Sequence, residues 1–200
     1  AKRWRFAKPY PLVRFLGVKA SYPMLLDAVK GSASDTAYAE AVLAEPSGSE
    51  KLRCVELHQG EYLAVVVERY EQKSGKTMRP RITLPKVEPA PYEGEPNECG
   101  TLVRSTVSGI MYAAKGSRLD LAKPTNVMAT RVVSWTEECV TFLEGLLSYI
   151  KGTINKRLRL DARGQARDVR QWRLDLSVDA DYRAGRVQTG IYLALTPLQS

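Results

Sequence analysis

Histidine is nearly missing from this chain: His58, in "CVELHQG", is the single one. A histidine-assisted serine or cysteine nucleophile therefore has one candidate base, and the context of His58 ahead of an amphipathic stretch points to an exposed or helix-capping residue instead. Cysteine is scarce too. Cys54, Cys99 and Cys139 are odd in number, far apart and in no C-x-x-C spacing, so neither a disulfide framework nor a zinc site is supported. The expectation is a reducing intracellular compartment: cytoplasm, nucleus or organelle. No phosphate-cradling G-x-x-x-x-G-K, no dinucleotide G-x-G-x-x-G and no G-x-S-x-G nucleophile elbow occurs, and no small-molecule substrate is identified. The longest apolar run, "YLAVVV", falls far short of the ~20 residues a membrane helix needs, so no membrane span is expected.

What the chain has in excess is positive charge. Thirty Lys and Arg against 22 Asp and Glu give a formal net charge of +8 over 200 residues, a balance that favours nucleic acid or an acidic protein surface, or else is a solvated basic face. The charge is grouped. Lys2, Arg3, Arg5, Lys8, Arg14 and Lys19 precede the first acid at Asp27, and a second cluster runs from Arg157 to Arg173 through Arg159, Arg163 and Arg170. With Trp4, Tyr10 and Trp172 available for stacking, these clusters are the candidate nucleic-acid contacts.

Periodicity places the elements. "LVRFLGVK" (12–19) has the content of a buried strand, and residues 22–58 read as an insertion or loop around one short helix in "SDTAYAEAVLAE", capped by Ser34 or Asp35. Leu63, Val66, Val67 and Tyr70 fall at i, i+3, i+4 and i+7 on one face of a helix that Gly75 can end in a left-handed cap. From Arg79 to Pro96 five prolines remove backbone donors, which predicts an extended connector and an internal boundary near 79–98. Beyond it "LVRSTVSGIMYAAKG" and "PTNVMATRVVSW" follow, with Pro124 suited to a first helical turn. "WTEECVTFLEGLLSYIKGT" is a helix capped by Thr136, favoured by Glu137 and Glu138 at its positive end, striped by Val140, Leu143, Leu147 and Ile150, and stopped at Lys151 and Gly152. The chain then alternates through Leu174, Leu176 and Val178 and turns into "TGIYLAL", a β-hairpin. The class is α+β, with mixed strands and two principal helices in the middle.

Asp179 and Asp181 lie two apart on the first hairpin strand. Such a pair holds at most part of a Mg²⁺ site; the plainer reading is acids that end a strand or pair with Arg183 or Arg186.

Read together, several stretches resemble, in order, the Pol polyprotein of copia-type LTR retrotransposons. "RFLGVK" (14–19) looks like the palm strand after the polymerase hairpin, and "GEYLAVVVERYEQKSGKTMRPRITLP" (60–85) like the thumb-proximal helix and its threonine-proline segment. "SGIMYAAKGSRLDLA" (108–122) is similar to "SLMYLA, TRPDIA", and "RVVSWTEECVTFLEGLLSYIKGT" (131–153) to the helix ending in "YLKGT". "DLSVDADYRAG" with "RVQTGIYLAL" resembles the first hairpin of the RNase H domain. Leu84, Leu119, Pro124 and Arg183 depart from the family pattern.

The resemblance implies a palm-end strand at 1–21, a thumb-like helix and connector at 59–98, a connection-like helical region at 99–165 and an incomplete RNase-H-like start at 166–200. It also implies that the polymerase aspartates precede Ala1 and that the later RNase H acids follow Ser200, so Asp179 would be the first acid of a Mg²⁺ set completed elsewhere. No cofactor is then required by these residues, and templated synthesis by them is expected to be nil. The function it implies is the gripping of an RNA–DNA hybrid through backbone contacts; the alternative is a non-catalytic structural or accessory subunit of a larger protein or ribonucleoprotein assembly.

Overall fold

The computed structural model describes residues 14–15, 18–21, 41, 44, 49, 53–90, 97–161, 172–183 and 186–197. Two short strands, β1 (Arg14–Phe15) and β2 (Val18–Ser21), open it. They pair antiparallel, Arg14 with Lys19 and Phe15 with Val18, so the single strand expected over 12–19 is two strands. Ala41 and Ala44 have helical backbone, within the short helix expected there, while Ser34 and Asp35 lie outside the described residues.

Five residues shortly before the helix at Gly60 form a strand, β3 (Cys54–His58), which corrects the reading of 22–58 as insertion throughout. β3 pairs antiparallel with β2 and, on its other edge, with β4 (Leu158–Asp161). The sheet order is β1-β2-β3-β4. Ala20, Ser21 and Cys54 are its buried positions among those described, at 1%, 7% and 0% exposure.

Helix α1 (Gly60–Ser74) buries Leu63, Val66, Val67 and Tyr70, the face set by their spacing, and ends where Gly75 takes φ 71° and donates its N–H to the Glu71 carbonyl. A residue with a Cβ is strained at that φ, so glycine is the economical terminator. Helix α2 (Thr101–Gly116) buries Val107, Ile110, Ala113 and Ala114. A 3₁₀ turn at Leu119–Leu121 then runs into helix α3 (Ala122–Arg131), with Pro124 in its first turn, where a missing N–H costs nothing.

Helix α4 (Glu137–Gly152) sits deepest. Thr136 caps it by accepting the Cys139 N–H at 3.4 Å, and Glu137 and Glu138 occupy the positive end of its dipole. Leu143, Leu147 and Ile150 are buried as expected, with Val140 only half-buried; Cys139, Phe142, Leu146 and Tyr149 are buried besides, so the apolar face is wider than one stripe. Four helices therefore form the core where two principal ones were expected.

Residues 76–90 carry no helix or strand, in keeping with their prolines, yet they run along α4 as a strap. The Met78 N–H donates to Glu71 Oε1, the Arg81 N–H to the Ser148 carbonyl at 3.0 Å, and the Ala90 N–H to Glu138 Oε2 at 3.1 Å. Gly152 is essential to this path, because a Cβ there would overlap the Arg81 backbone. Residues from α1, the strap, α2, α3 and α4 join in one apolar cluster, so the proline-rich stretch covers a shared core instead of linking separate ones.

At the C-terminal end β5 (Trp172–Arg183) and β6 (Arg186–Pro197) form the expected antiparallel hairpin, a second sheet of two strands.

Candidate functional site

The most connected polar group among the described residues forms where the end of α2 meets the end of α4. Its sequence elements are "SRLD" (117–120) and "YIKGT" (149–153), with Lys156 just beyond. Chain reversal after α2 sends Arg118 inwards: its N–H bonds back to the Ala113 carbonyl at 3.0 Å, and its side chain is 1% exposed. A buried guanidinium cannot shed its charge, so it needs acceptors on every side.

It has them. Arg118 Nε donates to Asp120 Oδ1 at 2.9 Å and Nη2 to Oδ2 at 3.0 Å, a bidentate pair. Nη1 donates to the Thr153 carbonyl at 3.1 Å and Nη2 also to Thr153 Oγ1 at 2.9 Å. The Thr153 hydroxyl in turn donates a hydrogen bond to the Tyr149 carbonyl at 2.7 Å. Tyr149 then donates its hydroxyl to Asp120 Oδ2 at 2.6 Å, and Lys156 Nζ donates to the Tyr149 oxygen at 2.6 Å. Both cations also lie near the Tyr149 ring, at 5.7 Å for Arg118 and 5.2 Å for Lys156, a cation–π arrangement.

The electrostatics follow. Burial by itself pushes the Asp120 carboxyl up, but the hydrogen bonds from Arg118 and Tyr149 and the charges of Arg118 and Lys156 outweigh it and hold the group down at about 2. The hydrogen bond to Tyr149 raises the Lys156 ammonium, against burial and with help from Asp120. Both ions stay charged through the neutral range. The cluster therefore acts as a lock between two helix ends and not as a proton-transfer centre, which needs a group titrating near the working pH.

A second lock joins α1 to α4. Lys151 Nζ donates to Glu71 Oε1 at 2.8 Å, which lowers the Glu71 carboxyl. Tyr70 donates to Glu144 Oε1 at 3.3 Å, and burial first, then the Glu144 charge, pushes its hydroxyl up to about 12.

The basic residues singled out by sequence fare unequally. Arg157 and Arg159 lie on or beside β4, opposite β3, where Glu56 is in register with Arg159. Glu56 holds Arg157 Nη1 at 2.9 Å and Arg159 Nη1 at 3.8 Å, while Arg159 Nη2 also donates to Asp161 Oδ2 at 3.3 Å. Both arginines remain about half-exposed, at 44% and 49%. Lys2, Arg3, Trp4, Arg5, Tyr10, Arg163 and Arg170 lie outside the described residues.

His58 is the last residue of β3, in register with Lys19, and Gln59 takes the N-cap position of α1, so the expected capping role does not fall to the histidine. Cys54, Cys99 and Cys139 are free and buried. Asp179 and Asp181 are placed by backbone register alone: their cross-strand partners are Gly190 and Gln188, whereas Arg186 faces Arg183. Among the described residues no three His, Cys, Asp or Glu side chains gather as a metal site, and no helix is long and apolar enough to cross a membrane.

Sequence reasoning did not assign Glu56 or the Arg118–Asp120–Tyr149 group. The signal for the latter was an Arg and an Asp two apart, followed 29 residues after the Asp by a Tyr in the last turn of a helix. Comparison with protein-family models, curated proteins and solved structures yields no match for this chain.

Proposed function

We propose that this chain is a nucleic-acid-gripping element derived from a copia-type retrotransposon reverse transcriptase/RNase H, and that its ligand is an RNA–DNA hybrid held by backbone contacts. One observation carries the reading. "SRLD" and "YIKGT", two of the stretches on which the resemblance rests, meet in one hydrogen-bonded node although 29 residues separate Asp120 from Tyr149. Matching sequence pieces that are also structural partners support common descent better than pieces scattered over a surface. The grip itself rests on Lys and Arg of the two basic clusters, Arg157 and Arg159 among them.

The test is fluorescence anisotropy of the full chain with a short RNA–DNA hybrid over about 50–300 mM salt, beside an acidic polymer. Expected is preferred binding of the hybrid that falls steeply with salt, and a shallower salt slope in the Arg157→Ala, Arg159→Ala double variant. Equal binding of hybrid and polymer overturns the reading.

A second reading, a structural or accessory subunit, is favoured by one feature: Glu56 and Asp161 already pair with Arg157 and Arg159. In that case Glu56→Gln, which releases Arg157 and leaves Arg159 to Asp161, leaves hybrid binding unchanged. On the first reading the same substitution strengthens binding.

A further inference from the structure

A cleft of about 700 Å³ lies between α2 and α3, edged by the strap at Glu88. That volume is within the roughly 300–1,000 Å³ of small-molecule sites. Its charge is uneven. Lys115, Lys123 and Arg131 line it against one acid, and Glu88 is taken by Lys123 at 3.0 Å. Among the described residues the Arg131 side chain has a single distant contact, Nη2 to the Pro89 carbonyl at 3.5 Å, and the exposed Lys115 has no ion-pair partner. Among the described residues two positive charges are therefore left without an acid.

Residues of the cleft wall also carry orphaned polar atoms. Four buried side-chain nitrogens or oxygens of the described residues lack a hydrogen-bond partner, and two of them, Thr125 Oγ1 and Arg131 Nε, belong to residues of this wall. Thr125 is 1% exposed. Helical threonines elsewhere in the chain bond back to a carbonyl of their own helix, Thr106 to Leu102 at 2.8 Å and Thr141 to Glu137 at 3.1 Å. Thr125 does not, and a buried hydroxyl left unpaired is costly unless something outside the protein satisfies it. Leu119, 61% exposed, adds an apolar surface to the same cleft.

We propose that this cleft binds an organic phosphate monoester of about nucleotide size, its phosphate taken by Lys115, Thr125 and Arg131 and its organic body resting on Leu119. Two uncompensated cations match a phosphate monoester, which carries close to two negative charges at neutral pH, better than a carboxylate, which carries one. A guanidinium and a hydroxyl are the donors such a group takes. The chemistry is shared by a free nucleotide and by the 5′-phosphate end of a nucleic-acid strand. The inference stands apart from the hybrid-binding function, since it uses none of the residues assigned to it.

Isothermal titration calorimetry of the full chain with adenosine 5′-monophosphate, adenosine, a 5′-phosphorylated oligonucleotide and its unphosphorylated twin tests it. Expected is saturable binding of the monophosphate at least about tenfold tighter than of adenosine. Either phosphorylated probe binding more tightly than its unphosphorylated counterpart supports the site, and the tighter of the two identifies the source. Lys115→Ala and Arg131→Gln should each weaken binding about tenfold or more. Thr125→Val removes no bond within the protein, so it should unfold at or above the wild-type temperature while weakening phosphate binding. Equal affinity for phosphorylated and unphosphorylated probes, or unchanged affinity in Lys115→Ala and Thr125→Val, overturns the proposal.

Discussion

Replacing Asp120 by Asn should be the most damaging single-atom change in the helical core. The variant keeps the size of the side chain but removes the charge opposite Arg118, which is 1% exposed and cannot lose its proton. An uncompensated buried charge costs about 3–5 kcal/mol. That is a large part of the roughly 5–15 kcal/mol that holds a domain together. The carboxyl makes part of that cost pH-dependent. Its drop from 3.8 to about 2 is equivalent to about 2 kcal/mol of stabilisation. Because the folded value is the lower one, that stabilisation is fully present above about pH 4 and is lost as pH falls towards 2. The assay is urea unfolding of wild type and Asp120→Asn at several pH values between about 7 and 2. Expected is a gap of about 3–5 kcal/mol at neutral pH with little change in m, narrowing by about 2 kcal/mol at the acid end. A gap under about 1 kcal/mol at neutral pH, or one that does not narrow in acid, refutes the account of the node as a buried charge lock.

Other substitutions probe the rest of the frame. Leu147→Ala empties a fully buried position of α4 and should cost about 2–5 kcal/mol by denaturant melts. Gly75→Ala forces a Cβ onto φ 71° and should cost about 1 kcal/mol without altering the core. Gly152→Ala drives the Arg81 backbone off α4; limited proteolysis should then cut within 76–90 faster than in wild type, and an unchanged cutting rate would show that the strap is not held there.

Local chemistry made much of this molecule legible without coordinates. The spacing of Leu63, Val66, Val67 and Tyr70 announced α1 and its buried face, Gly75 its end, and Thr136 with Glu137 and Glu138 the start of α4. Alternation from Leu174 announced the hairpin. These signals are readable because each lies within a few turns or residues of chain, where period, cap and propensity agree.

What the sequence left open depends on partners far along the chain. β3 and β4 are five and four residues long, too short for period to identify, and exist as strands because Cys54 to Leu57 find Asp161 to Leu158 across about a hundred residues. The strap reads as a loose connector because its prolines remove donors, yet the N–H groups of Met78, Arg81 and Ala90 find acceptors on α1 and α4. Arg157 and Arg159 read as free cations until the β3–β4 register puts Glu56 beside them. Burial of Arg118 is the clearest case: arginine is a surface residue by composition, and only the meeting of two helix ends supplies enough acceptors to make its interior position stable. The sequence by itself determined which segments would be helices and a hairpin, because those are decided by near neighbours. Tertiary structure decided which charges are paired, buried or left open in a cleft, because a charge takes its role from whatever acceptor the fold brings within about 3 Å.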